Sequence, residues 1–470
     1  MKEKILQGNI LSAVFRISWP MMLGMFLHIS MNLIDTIWVG IVGPLAVAAV
    51  SMSFTVVVVL FTFCGGVSIG VSSLIARAWG AADRGQAARV TEHALFLAFL
   101  FTAVITLGVN LAIEPMLVFL GAKTEFFAMA VSYLRVIMTW SVTIFLMFAF
   151  GSIFRALGDT ITPCKAMCIS SLTNLVLDPL LIFGFDQNPL FGMLGLGGVE
   201  EQLFAATGYA GSGVTGAAIA TVISRGVGII YYAWRFFRKD FPLKLNFEDF
   251  KYQYGIVVGI FKVGLPSTVA RLTISTSFAF LMKAVSRFGS FAIAAYGICM
   301  KVDALIFLPM MGASMAIITM TGQNVGAGQP ERARKIVATA IRWLVCLGTT
   351  AGAAVWFFPA PIMTIFTREP EVISVGVEIF KWLSLLYGAI AVAMITGAGF
   401  QGAGDAKPVL AMAVTRNWLI TVPAAYLVSR FYGLRGIWWS IAAGILIEAV
   451  MALLYLKFYH FKPFKRDQGE

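Results

Sequence analysis

The chain is predicted to be an all-α polytopic membrane protein, with twelve transmembrane helices in two six-helix bundles. Composition, recurring apolar runs and an internal repeat predict this. Of 470 residues, 59% are hydrophobic and only 12% charged, with a mean hydropathy of +0.86. Soluble globular domains carry about 25% charged residues. The formal net charge of +12 invites a nucleic-acid reading, but the basic residues sit in short segments between apolar runs, as the positive-inside rule requires of a membrane protein. No nucleic-acid partner is expected. The first dozen residues are polar and basic, and the first apolar run is too long for a signal peptide.

Runs of spanning length, roughly 20 apolar residues for a hydrocarbon core of about 30 Å, recur along the chain. The expected spans are 14–43, 46–76, 90–113, 125–150, 162–185, 209–234, 254–286, 291–322, 336–358, 372–398, 408–430 and 433–459. Basic residues cluster at Lys2, Lys4 and Arg16, at Arg77, Arg84 and Arg89, at Arg332, Arg334 and Lys335, and in the tail at Lys457, Lys462, Lys465 and Arg466. The alternate loops are neutral or acidic, as at Glu200 and Glu201. Both termini are therefore expected in the cytoplasm, in a plasma (inner) membrane.

The repeat pairs landmarks 246 residues apart: Pro20 with Pro266, Gly80 with Gly326, Gly151 with Gly397. Later landmarks, Gly213 and Gly433, are 220 apart, so the first half holds about 26 extra residues in the segment 186–211. That segment reads as an elaboration. Six spans per repeat give both halves the same orientation, related by a pseudo-two-fold axis along the membrane normal with a cleft between them. The expected organisation is an amino-terminal lobe at 1–238, a cytoplasmic linker at 239–252 and a carboxy-terminal lobe at 253–470. A two-lobed bundle with a central cavity is transporter architecture, expected as a monomer in the bilayer.

The first span carries a carboxylate, Asp35, and a proline, Pro20, in the stretch ISWPMMLGMFLHISMNLIDTIWVGIVG. An intramembrane acid costs something like 2.5 kcal/mol or more and marks a functional site by default. His28, Asn32 and Asp35 are spaced by four and three, on one helical face. In the fifth span Asn174 and Asp178 are four apart, and Pro179 frees the carbonyl of Leu175. Thr221 in span six adds a hydroxyl at similar depth. A carboxylate pair, an amide oxygen and a freed carbonyl suit a small hard cation or a carried proton. Two carboxylates close together in a low dielectric cannot both ionise freely. The alternative, that the acids pair with Arg135 or Arg225, stays open at this point.

The second half differs. Leu281 stands where the repeat would place Asp35, and the seventh span after the helix-kinking Pro266 has Arg271 and hydroxyl residues but no acid. Lys301, Asp303, Lys381 and Glu448 are further intramembrane charges without an assigned partner. The five cysteines lie in apolar runs and behave as small hydrophobes. Nucleotide loops, HExxH and GxSxG are missing, so an enzyme is not expected and the energy for transport must come from an ion gradient.

The pattern Pro20…Asn32-Leu-Ile-Asp35-Thr-Ile-Trp38, the Gly80 loop, Arg155-Ala-Leu-Gly158-Asp159 and Asn174-Leu-Val-Leu-Asp178-Pro179 resembles the multidrug and toxic compound extrusion (MATE) family over nearly the whole chain. The resemblance implies a V-shaped antiporter that exports small organic compounds, cationic or amphipathic and drug-like, against inward H⁺ or Na⁺, with no other cofactor or metal. In DinF-like and archaeal branches the cation site lies in the amino-terminal lobe, and it carries over onto Asp35, Asn174, Asp178 and Thr221. The NorM-type branch places acids in spans seven and ten; Ile274 and its neighbours supply none in span seven, so the DinF-like branch fits better. His28, Met31 and Asn32 are the candidate cavity residues, Pro20, Pro179 and Pro266 the helix-kink residues. The alternative within the same broad superfamily is a lipid-linked precursor flippase, which would favour a basic cavity; Arg271, Lys283 and Lys301 leave it open.

Overall fold

The computed structural model describes residues 5–185 and 188–461, the side chains of His28 and Asn32 excepted. Those two candidate cavity side chains therefore lie outside the described residues. Inside lipid every backbone N–H and C=O must be satisfied within the protein, so spanning segments are helical. Spans one to three are Ile10–Val42, Pro44–Gly80 and Arg84–Phe119. Span four is Thr124–Thr139 followed by Val142–Ala156, bent by 46°. Spans five and six are Ile161–Phe183 and Gly213–Phe236. Seven to nine are Tyr254–Val285, Ser290–Gly326 and Pro330–Phe357. Ten joins Pro370–Leu383 to Tyr387–Ala403, and twelve is Leu434–Phe458.

Among the described residues ten helices are individually long and apolar enough to cross a membrane, and the bent span four makes an eleventh. The remaining expected span is helical from Lys407 to Tyr432 but carries a π-helical segment, Thr415–Thr421, between two short α-helices. Helix starts follow local chemistry: the Asn9 side chain accepts from the Ser12 N–H and Asp83 from the Gln86 N–H, which satisfies orphan donors of the first turn. The extra segment of the first half folds into two short helices, Pro189–Leu194 and Gly197–Thr207.

The repeat becomes geometry where the lobes meet. Span one packs on span eight, span two on span seven, and spans two and eight cross each other. The residues at these crossings are related by the same 246-residue offset. A side chain at Gly66 would strike Thr268 and the Gly264 carbonyl; its repeat mate Gly312 would meet the Met22 backbone at 2.7 Å. At the second contact, Gly80 touches the Gln323 carbonyl and Gly326 touches the Arg77 carbonyl. Small residues let helix backbones approach, which is how helices associate without a hydrophobic drive in lipid. Two side-chain bonds add to this junction: Ser73 Oγ donates to the Gly402 carbonyl at 3.2 Å and Gln323 Nε2 to the Ala156 carbonyl at 2.8 Å.

All of these contacts lie in the half nearest the 237–253 linker. A shared core there joins Val14, Ile17 and Ile69 to Val263, Met310 and Ile317. At the opposite end each lobe keeps its own core: Trp38, Val39, Ile182 and Ala217 in one, Leu281, Tyr296, Phe380 and Trp438 in the other. The lobes thus touch at the linker end and part toward the other, a V. Pro20 and Pro266, each inside a continuous helix, sit beside the two crossings where the lobes bear on each other.

Gly80→Val should therefore force spans two and eight apart, at a cost of about 1–3 kcal/mol for overpacking. Gly108→Val meets nothing within 4 Å and serves as control. Thermal unfolding of the purified proteins should show several degrees lost for Gly80→Val and little for Gly108→Val; equal losses would contradict the crossing.

Candidate functional site

Spans five and six pack antiparallel. Gly216 lies against the Leu181 carbonyl and Gly228 against Ala166 and Ser170, a register that sets Thr221 at the height of Asn174 and Asp178. Span one packs on span five, which brings Asp35 to the same place. Asn174 and Asp178 are fully buried and Thr221 is 3% exposed. The fourfold spacing read in the sequence is a real contact: Asn174 Nδ2 donates to Asp178 Oδ1 at 2.8 Å. The Asp35 carboxyl interacts directly with the Asp178 carboxyl and with Asn174. Of the four residues the sequence singled out, Asp35, Asn174 and Asp178 are in mutual contact, and Thr221 stands at their height on the neighbouring helix.

Three buried oxygens of the cluster accept no hydrogen bond from the described residues: Asp35 Oδ1, Asp178 Oδ2 and Asn174 Oδ1. A buried acceptor left unsatisfied costs about 1–3 kcal/mol, more when charged. The Thr221 hydroxyl gives its proton to the Ala217 carbonyl at 2.9 Å, so only its lone pairs turn outward. The set is acceptor-rich and donor-poor. That donor set fits a proton shared by the carboxyls or a small hard cation held among oxygens.

Of the two arginines left open in the sequence, Arg135 lies away from the acids and Arg225 lies near them. Arg135 pairs with Glu114 at 3.5 Å on the exposed surface, far from consequence for the acids. Arg225 is 9% exposed and adds positive charge near Asp35, yet among the described residues it forms no ion pair; its guanidinium faces the Phe61 ring at 5.3 Å. Tyr133 of span four stands in the same electrostatic neighbourhood as both acids and Arg225. Sequence reading missed it, because no spacing within one helix links span four to spans one and five. Met31, a candidate cavity residue, is 5% exposed and takes a weak hydrogen bond from Ser171 at 4.0 Å; it packs inside the lobe against span five.

Pro179 lies in the same turn as Asp178, and its own carbonyl, with that of Gly184, accepts from Asn188 Nδ2 at 2.8 and 2.6 Å. The extra segment thus ties down the end of the site helix. In the other lobe Leu281 is buried in an apolar core. Asp303 Oδ1 accepts from the Tyr387 hydroxyl at 2.5 Å, and Glu448 pairs with Arg416 at 2.7 Å.

The MatE family model matches the chain twice, over residues 20–180 and 266–427, one match per lobe and each beginning at a repeat proline. The chain is 25% identical to the probable multidrug resistance protein YpnP of Bacillus subtilis, over 98% of this chain and 97% of the relative. It is 26% identical to the probable multidrug resistance protein NorM of Thermotoga maritima, over 97% and 93%. Among solved structures, an outward-facing multidrug resistance MATE family transporter superposes with a TM-score of 0.86 at 28% identity, over 97% of this chain and 96% of that one. A MOP superfamily transporter from Pyrococcus furiosus gives 0.85 at 28%, with the same coverage. The paired family matches, the offset they share with the lobe crossings, and the full-length likeness to V-shaped transporters lead to one conclusion: this chain belongs to the MATE family of multi-pass membrane transporters.

Proposed function

We propose that the protein is a secondary active antiporter that exports amphipathic organic compounds in exchange for inward H⁺ or Na⁺. Coupling takes place at Asp35, Asn174, Asp178 and Thr221, in the manner of the DinF-like branch. The observation that carries this reading is the pair of interacting carboxyls with donor-less oxygens buried inside one lobe. Such a pair is expensive when both members are charged and relaxed once a proton or cation arrives. Binding energy of the incoming ion is therefore available to change how spans one and five pack. The multidrug resistance names of the relatives support an organic cargo, and they give the flippase alternative no support.

The linker end is the cytoplasmic end on this reading, since the basic loops lie there, with Arg332 bonded to the carbonyls of Ile5 and Gly8 and Arg334 to that of Lys457, and the V opens outward. Glu201 and Lys335 are both exposed. In a variant lacking its natural cysteines, single cysteines at these two positions should be modified by a membrane-impermeant maleimide from opposite faces; modification from one face would overturn the orientation.

Asp35→Asn and Asp178→Asn should each cut gradient-driven efflux from proteoliposomes at least tenfold while insertion in the membrane is retained. Residues acting as one unit are non-additive, so the double variant should be no worse. Partial defects that multiply would mean independent sites. Parallel runs with an imposed proton gradient and an imposed sodium gradient identify the ion.

A further inference from the structure

Two cations on the carboxy-terminal lobe are used neither by the fold nor by the coupling site. Arg271 lies seven residues, about two turns, beyond Gly264 on span seven, and Lys301 eleven residues, about three turns, before Gly312 on span eight. Gly264 and Gly312 are points where these helices touch the other lobe, so both cations leave their helices on faces turned toward that lobe. They do so in the half where the lobes part. Arg271 is exposed although it lies mid-way along a spanning helix. Lys301 is exposed.

Neither pairs with a carboxylate among the described residues. Among the described residues the ion pairs join Arg135 to Glu114, Arg235 and Arg238 to Asp240, Arg416 to Glu448 and Arg435 to Glu378. Asp303, two residues from Lys301, points away from it to Tyr387. The repeat-related positions on the opposite wall are Met25 and Thr55, both uncharged. A charged guanidinium at membrane depth without a partner is costly. Further along the Arg271 face come Ser275, exposed, and Phe278, 40% exposed, and Leu305 at 59% lies one turn from Lys301 on its face. The wall thus offers a fixed cation, a hydroxyl and apolar surface in sequence.

We propose that the cleft wall formed by Arg271, Ser275, Phe278, Lys301 and Leu305 binds the transported compound through an anionic group, a carboxylate, sulfonate or phosphate, on an apolar or aromatic body. Arg271 supplies the charge-assisted hydrogen bonds, and Lys301 adds a longer-range attraction. This inference rests on the transport reading above and departs from the cationic cargo that the resemblance implies, because a cation on this wall would face two uncompensated like charges. The anionic group is drawn either from a dissolved organic anion or from an acidic lipid headgroup that enters the cleft from the bilayer.

The test compares 5-carboxyfluorescein with rhodamine 6G, dyes that share a xanthene ring and carry opposite charge. Anisotropy titrations of the purified full chain in detergent should show saturable carboxyfluorescein binding at least tenfold tighter than rhodamine. Arg271→Gln should weaken carboxyfluorescein about tenfold or more and leave rhodamine no weaker, while Arg271→Lys stays within about threefold of the parent. Displacement of the dye by phosphatidylglycerol, with phosphatidylcholine inert, supports the same site filled from the bilayer; displacement by dissolved aryl sulfonates alone supports the soluble source. Equal or tighter rhodamine binding, or an unchanged carboxyfluorescein affinity in a well-folded Arg271→Gln, overturns the proposal. Transport separates the two levels. Rhodamine export driven by an ion gradient through Asp35, with carboxyfluorescein neither bound nor moved, removes the anion site and leaves the antiporter. Arg271-dependent carboxyfluorescein binding with no gradient-driven flux removes the antiporter and leaves the site.

Discussion

The structure depends on backbone contact between the two lobes at one end of the molecule. In lipid the hydrophobic effect does not press helices together, so association must come from close packing and hydrogen bonds. Here the contact is made by helices whose facing positions carry no side chain, Gly66 against span seven and Gly312 against span one, with Gly80 and Gly326 where spans two and eight cross. Because these residues are related by the repeat offset, the two contacts are mates across the pseudo-two-fold axis. A junction of this kind is narrow and symmetric. It leaves the other half of each lobe with a core of its own, and so permits a cleft.

Within that symmetric frame the chemistry is one-sided. The amino-terminal lobe holds two interacting acids and an asparagine with unsatisfied oxygens. The matching depth of the other lobe is apolar, with Leu281 in place of Asp35. That lobe neutralises most of its polar burden internally, Asp303 on Tyr387 and Glu448 on Arg416. Breaking such a buried pair costs several kcal/mol because the remaining charge is stranded, so these groups are bound to their partners and not free to bind cargo. Among the described residues Arg271 and Lys301 form no ion pair. The result is a division of labour: a donor-poor oxygen cluster inside one lobe and unpaired cations on the wall of the other.

How much of this was legible in the sequence follows from what helical periodicity encodes. Spacings of three and four identify residues on one face, so Asn174 with Asp178 was readable, and so was the repeat that pairs Gly80 with Gly326. The joining of Asp35 to that pair followed from counting depth along two helices of the same direction. Rotation of one helix about its axis relative to another is not encoded by spacing. Tyr133 therefore went unplaced beside the acids, spacing could not choose between Arg225 and Arg135 as their neighbour, and Met31 turned out to pack inside its lobe against Ser171. Nor does hydropathy register the π-helical turn at Thr415–Thr421, which divides span eleven between two short α-helices. The segment at 186–211, read as an elaboration, is bonded through Asn188 to the carbonyl of Pro179, next to Asp178; its length was visible, its attachment was not.

Span one connects the two features on which the proposed mechanism rests. It is a single helix, Ile10–Val42, with Met22 and Pro20 at the lobe crossing and Asp35 in the coupling cluster. Thirteen residues at 1.5 Å each separate Met22 from Asp35, about 20 Å. Pro20 has no N–H to bond the Arg16 carbonyl, so the helix is weakest at the crossing itself and intact between crossing and site. A change in how Asp35 packs against span five is then carried along an unbroken lever to a joint where backbones touch and can roll. Span seven repeats the design through Pro266 and Thr268, with Arg271 one turn beyond the joint. A cargo anion on Arg271 and an ion at Asp35 would bear on the same pair of joints from opposite lobes, which is the physical form that coupling between them has to take.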